Sequence, residues 1–276
     1  AYKAAGVNRI SLGVQSLNAD DLAFFGREHS VDEALAALDL ARGLFDRCSL
    51  DLMYSRPKQS LDAWIAELDQ ALALAPDHIS LYQLTIEPNT RFASEVRTGL
   101  WSPLPDDPAA EQFEVTRKVL ADAGLPAYEV SNHARLGQES RHNLAYWRYQ
   151  DYVGVGPGAH GRLTVNGRKM ASRQHKAPEG WMQLVDQAGH ATRTWETLTH
   201  EDQWQEALIM GLRLAEGLPL QRLIDKAEVE DVWQILDQPK VEALIEQDDL
   251  RLTDYRLIAT ETGIGKLDAI LGAIAL

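Results

Sequence analysis

The stretch CSLDLMYSRPKQSLDAWIAELDQALALA, residues 48–75, decides the fold class. Its first seven residues form an apolar, strand-like run. LDAWIAELDQALALA (61–75) then carries apolar residues at helical spacing, with Ser60 placed as its N-cap. The same unit recurs on both sides. RISLGV (9–14) is a β-branched run followed by the helical VDEALAALDLARGLF (31–45), and HISLYQLTI (78–86) reads as a third strand. Strands alternating with helices predict an α/β fold on a parallel sheet, either doubly wound or closed towards a barrel.

The rhythm loosens after residue 86. RTGLWSPLPDDP (97–108) is rich in Pro and Asp and predicts a long loop. AAEQFEVTRKVLADAG (109–124) is a helix ended by Gly124, AYEVSNHA starts another strand, and NGRKMASRQHKAPEG reads as a basic-polar stretch. From about Trp195 the pattern changes. EDQWQEALIMGLRLAEGLPL and VWQILDQPKVEALIEQ are helical, and LRLTDYRLIAT reads as a short hairpin before a last helix. Helices followed by a two-stranded wing predict a small winged-helix-like domain. The expected division is 1–170, a connecting segment at 171–194, and 195–276.

Composition bounds the function. The 276 residues are 45% hydrophobic and 25% charged, an ordinary globular balance. Forty-one acidic against 27 basic side chains give a net charge of -14, which disfavours nucleic-acid binding. No apolar run is long enough for a membrane span and no signal-peptide pattern occurs, so a cytoplasmic location is expected. Cys48 is the single cysteine; it reads as a small hydrophobe at a strand start and cannot alone hold a metal cluster. The chain opens AYKAAGVNRI without Met and enters a strand almost at once, as expected of a sequence whose beginning lies further upstream.

In parallel α/β folds functional side chains collect at the carboxyl ends of strands. That rule selects Gln15, Asp51 with Tyr54, and Gln83 with Thr85, Glu87 and Pro88; Arg27 and His29 follow in the loop after Gln15. A Gln at a strand end more often satisfies loop backbone than binds a ligand. An ionised Asp51 inside an apolar strand must be paired, with Arg27 a candidate partner, or face a polar cavity. His29 reads as a surface or capping residue, and Arg56 and Lys58 as solvated loop charges.

The motif HNLAYW (142–147) joins an imidazole, a phenol and an indole. An extended chain puts His142 and Tyr146 on one face; a helix stacks them one turn apart. The set suits either a planar aromatic ligand or a buried aromatic cluster with satisfied polar tips. GVGPGAHG (154–161) lets backbone approach something closely. Its spacing departs from G-x-G-x-x-G at Ala159, and no helix pattern follows, which removes the dinucleotide reading.

GVNRISLGVQSLNADDL, GREHSVDEAL, SLDLMYSRPKQSLDAW, HISLYQLTIEPNTRF, YEVSNHA, HNLAYW and GVGPGAH occur in one order. That series resembles the radical S-adenosylmethionine family containing oxygen-independent coproporphyrinogen III oxidase, and within it the haem-chaperone branch, whose HNxxYW motif is associated with haem. The resemblance covers most of residues 1–185, and the tail is similar to the family's C-terminal domain. It implies a partial (β/α)6 barrel, here without its first strands. It also implies bound S-adenosylmethionine and a [4Fe-4S] cluster on a three-cysteine loop after the first strand. That loop is absent from this chain and expected in a full-length parent, so the chain alone is not expected to perform radical chemistry.

By motif position the resemblance makes Gln15, Arg27, Asp51, Thr85 and His160 contacts of S-adenosylmethionine, with the Gly158–His160 loop beside the adenine. His142, Asn143, Tyr146 and Trp147 become haem-binding candidates. The implied function is delivery of haem, the bound cargo, to haem-accepting proteins, with an electron donor serving the cluster. The alternative is the oxidase itself, decarboxylating a porphyrinogen's propionates. Two turns depart from the family's pattern. Ser55 and Arg56 stand where Gly and Leu are usual, and Asn89 and Arg91 where Gly and Pro are usual.

Overall fold

A computed structural model describes all residues, 1–276, and they form two compact units, Ala1–Glu139 and Ser140–Leu276. The first unit runs β1 (Ile10–Gln15), α1 (Ala19–Phe24), α2 (Val31–Leu44), β2 (Cys48–Tyr54), α3 (Leu61–Ala73), β3 (His78–Gln83), α4 (Arg91–Arg97), α5 (Asp106–Asp122) and β4 (Asn132–Ala134). The sheet order is β1-β2-β3-β4, with the first three strands parallel as the alternating pattern requires. It is an open sheet.

Strand alternation sorts its two faces. Leu50, Leu52 and Tyr54 of β2, Ile79 and Leu81 of β3 and Val14 of β1 point to the helix side. There they form one core with Leu38 of α2, Trp64 and Leu68 of α3 and Leu120 of α5. Trp64 is fully buried, stacks on Tyr54 at 4.9 Å, and donates its indole N–H to Thr116 Oγ1 at 2.7 Å. The opposite face is polar: Ser11, Asp51, Ser80 and Tyr82 lie on it.

Local chemistry sets the helix ends. Ser60 accepts from the Ala63 amide, and Ser30 with Glu33 forms a reciprocal capping box on α2. The strand expected at AYEVSNHA is only three residues long and antiparallel to β3. A turn around Glu129 reverses the chain, because Tyr128 N–H donates to the Asn132 carbonyl and Ala134 N–H to that of Pro126. The expected loop at 97–108 is shorter, running between the end of α4 and Asp106 of α5.

The second unit holds α6 (Arg141–Trp147), then β5 (His160–Val165), β6 (Arg168–Gln174), α7 (Pro178–Ala188) and β7 (Thr192–Thr197). These are followed by α8 (His200–Gly211), β8 (Leu218–Pro219), α9 (Leu220–Ala227), α10 (Gln238–Glu246), β9 (Leu250–Thr253), β10 (Arg256–Ala259) and α11 (Leu267–Ile274). β5, β6 and β7 make an antiparallel sheet. The stretch read as basic-polar is therefore a hairpin. Asn166 and Gly167, at φ 51° and 78°, form its two-residue turn, the backbone such tight hairpins demand. Residues 171–194, expected as a connection, carry most of β6, α7 and the start of β7, and the division into compact units falls at 139/140, inside the expected barrel segment.

Three helices, the β9–β10 wing and a fourth helix, α11, follow from residue 200, with β8 pairing on β10. The predicted helix across 232–247 is interrupted. It is a short 3-10 turn at Val232–Gln234, then α10 with Pro239 in its first turn, capped by Asp237.

Candidate functional site

On the polar sheet face of the first unit, Asp51 sits midway along β2 and accepts from Ser11 Oγ at 2.8 Å. Burial pushes its carboxyl above the ordinary range, opposed by hydrogen bonds from Ser11 and Ser80 and by the positive charge of Arg9. The cation near Asp51 is thus Arg9. Arg27 is exposed in the loop between α1 and α2. Tyr82, 42% exposed, lies on the same face next to Ser80 and Asn132.

Gln15 closes β1 in a left-handed conformation (φ 71°) after a register shift between Leu12 and Gln15. Such a bulge re-aims the side chain that follows it. Its amide folds against Gly13: a Cβ there would stand 2.5 Å from Gln15 Nε2. A side chain at 13 would displace that amide, and Gly13 lies on the same strand as Ser11, the donor to Asp51. Thr85 is exposed two residues beyond β3. Gln83 is committed to structure, donating to the Ala109 carbonyl at 2.8 Å. His29, read as a surface residue, brings Nε2 to 3.3 Å from the Val14 carbonyl at the end of β1.

Arg56 overturns an expectation. Read as a solvated loop charge, it is 5% exposed and paired with Glu67 at 2.6 Å and Asp21 at 3.0 Å, whereas Lys58 is exposed. The long cation in this turn is absorbed by carboxylates on α1 and α3. Ser55 has φ 58°, and Asn89 has φ 64°. Both keep a left-handed backbone that costs an L-residue about 1–2 kcal/mol outside Asn and Asp.

In the second unit HNLAYW is helical. His142 is exposed and packs edge-on to Tyr146, ring centroids 4.6 Å apart, as the i, i+4 geometry predicts. Tyr146 in turn meets Tyr152 at 4.2 Å. Trp147 is covered by the Arg213 guanidinium at 4.4 Å, and its buried indole N–H meets no acceptor. Asn143 takes its backbone N–H to the Ser140 cap of α6.

The helix stands on a braced platform. The Tyr149 hydroxyl donates to Glu206 at 2.7 Å, and Arg162 reaches both oxygens of that carboxylate. Burial pushes the Glu206 carboxyl up, but these donors, Arg162 first, hold it below the ordinary range. Tyr152 exchanges backbone hydrogen bonds with Arg162. Gly154 and Gly161 approach each other there, and a Cβ on Gly154 would strike the His160 carbonyl. Part of the glycine content of GVGPGAHG thus serves a close approach between two segments of the backbone. His160 is exposed at the start of β5 in this unit.

Residues 198–264 match the family described as the HemN C-terminal domain. The chain is 38% identical over 264 residues to the heme chaperone HemW of Escherichia coli, covering 87% of this chain and 67% of that protein. The chain belongs to the HemN-like radical S-adenosylmethionine family of haem chaperones. Within that family it is 40% identical over 281 residues, 100% of its length, to the mitochondrial radical S-adenosyl methionine domain-containing protein 1 of Danio rerio, and spans 63% of that relative. The solved structure of coproporphyrinogen III oxidase (HemN) from Escherichia coli, described as a radical SAM enzyme, superposes with a TM-score of 0.77 at 21% identity. The match covers 98% of this chain and 64% of that one. The α/β architecture is therefore that of the HemN-like radical SAM fold, and the sheet seen here is part of it.

Membership implies S-adenosylmethionine, an iron–sulfur cluster and haem. The first unit fits the nucleoside end of the first through a half-buried carboxylate acceptor at Asp51 and a bulge-aimed amide at Gln15 that lies over Gly13. The residues present do not fit a cluster. Cys48 is the sole cysteine, its thiol directed to the Phe45 carbonyl, and no three His, Cys, Asp or Glu side chains gather to hold a metal. No helix is long and apolar enough to cross a membrane.

Proposed function

We propose that this chain is the haem- and S-adenosylmethionine-binding part of a cytoplasmic haem chaperone that hands haem to haem-accepting proteins. The observation carrying this reading is the exposed imidazole of His142, held edge-on by Tyr146 on a helix whose base is fixed by the Glu206 network. An imidazole nitrogen is a standard axial ligand of haem iron. Tyr146 orients the ring, Trp147 adds aromatic surface and Asn143 a polar contact on the neighbouring helical face. An exposed ligand suits a protein that must release its cargo.

S-adenosylmethionine, when bound, supplies a sulfonium centre, and this chain's part is to hold the nucleoside. Asp51 accepts from hydroxyls, Gln15 presents its amide beside them, and Arg27 and Thr85 complete the set in the first unit. An electron donor enters only with a cluster. The functional division at 1–170, 171–194 and 195–276 belongs to the same reading. No observation favours the oxidase, whose support is likeness of fold.

Haem titration tests the proposal. The wild-type chain should shift the Soret band at stoichiometric haem, and His142→Ala should weaken binding at least about tenfold, the loss of one ligand bond worth 1.4 kcal/mol or more. Superimposable titrations of the two proteins would end the assignment.

A further inference from the structure

The turn after β2 carries Arg56, and the structure gives that guanidinium a specific task. Arg56 Nη2 pairs with Glu67 at 2.6 Å and Asp21 at 3.0 Å, while Nη1 donates to Ser16 Oγ at 3.2 Å and to the Met53 carbonyl at 2.9 Å. Glu67 Oε1 accepts from Ser16 Oγ at 2.6 Å and from the Leu17 backbone N–H at 2.7 Å. Ser16, Arg56 and Glu67 are all at most 5% exposed. The network therefore grips the two residues that follow Gln15, and through the Met53 carbonyl it also grips the end of the strand bearing Asp51.

Gln15 needs such a grip. Its φ of 71° and the bulge before it are unfavourable for a residue with a Cβ, and they persist only where surrounding contacts over-determine them. A carboxylate fixed by a buried guanidinium, accepting from residues 16 and 17, is that over-determination. Alone, Glu67 would be a buried charge without a counter-ion, which is costly.

We propose that Arg56 is a positioning residue for the nucleoside end of S-adenosylmethionine: paired with Glu67, it locks the Gln15–Leu17 corner so that the Gln15 amide and the Asp51 carboxylate face one ligand. This rests on the reading of Gln15 and Asp51 as contacts of that cofactor.

The test titrates S-adenosylmethionine calorimetrically into the chain and its variants, and follows amide hydrogen exchange at Leu17. Arg56→Leu should raise Leu17 exchange and weaken affinity by about tenfold or more, since misplacement of a positioned group is costly. Arg56→Lys, which keeps the charge without the fork, should fall between Leu and wild type. Leu125→Ala, a core truncation elsewhere in the unit, should lower the melting temperature and leave both readouts unchanged, separating positioning from general stability. Arg56→Leu binding as tightly as wild type, or no more weakly than Leu125→Ala, overturns the proposal while losses in Gln15→Ala and Asp51→Asn keep the contact reading. If those two variants bind like wild type, or wild type does not bind, the contact reading falls and the positioning role with it.

Discussion

Replacing Ser55 by glycine and by alanine separates two opposing contributions at one buried turn. Ser55 is 4% exposed, holds φ 58°, and donates its hydroxyl to Gln112 Oε1 at 3.1 Å; Gln112 is itself 1% exposed. Either substitution removes that donor and leaves a buried acceptor unpaired, a loss of about 1–3 kcal/mol. Alanine also keeps the left-handed strain. Glycine releases about 1–2 kcal/mol of it, and its greater freedom in the unfolded chain takes back about 0.5–1 kcal/mol. The expected order of stability is wild type, then Ser55→Gly, then Ser55→Ala. The two variants should differ by roughly 0.5–1 kcal/mol, or about 2 °C in melting temperature. Calorimetric melting of the three proteins reads that order directly. A Ser55→Ala protein at least as stable as Ser55→Gly would refute the strain reasoning, and one equal to wild type would refute the hydrogen-bond reasoning.

Acid should destabilise the first unit through two buried histidines. Burial lowers His78 and His133 from the ordinary 6.5 to about 3, so their contribution is full above pH 6.5 and declines as pH falls from there towards 3. The slope is about 1.4 kcal/mol per pH unit for each histidine. His133→Leu, which also removes two unpaired ring nitrogens, should flatten that limb, and an unchanged slope in urea melts at stepped pH would count against the assignment. Gly154→Ala forces a Cβ onto the His160 carbonyl beside the Tyr152–Arg162 pairing. It should cost about 1–3 kcal/mol and weaken haem binding, whereas a stable variant with normal haem affinity would show that the close approach can relax.

The parallel strands and their covering helices were legible because Leu50, Leu52, Ile79 and Leu81 face a core in strict alternation and Ser60 marks a helix start. The α1 helix was not read: it has one buried residue, Leu22, although Asn18 ahead of Asp20 and Asp21 is a cap signal that would have found it. The Asn166–Gly167 hairpin was missed for the opposite reason, a strong turn dipeptide set among basic residues that masked the strands. At the candidate site, Asp51 stood out as a charge in an apolar strand. Its partners did not, since Ser11, Ser80 and Arg9 come from neighbouring strands and their approaches. The fate of Arg56 was equally hidden. A loop cation looks solvated until Asp21 and Glu67, 35 and 11 residues away, are folded onto it. The geometry of HNLAYW was open between strand and helix, and Ser140 settled it by capping α6.

The role of His142 is tested most directly by electron paramagnetic resonance of the ferric haem complex. The wild-type chain should give a spectrum of imidazole-ligated iron that is lost in His142→Ala and kept, with altered rhombicity, in Tyr146→Phe. The same imidazole spectrum in His142→Ala would place the iron on another residue and contradict the account.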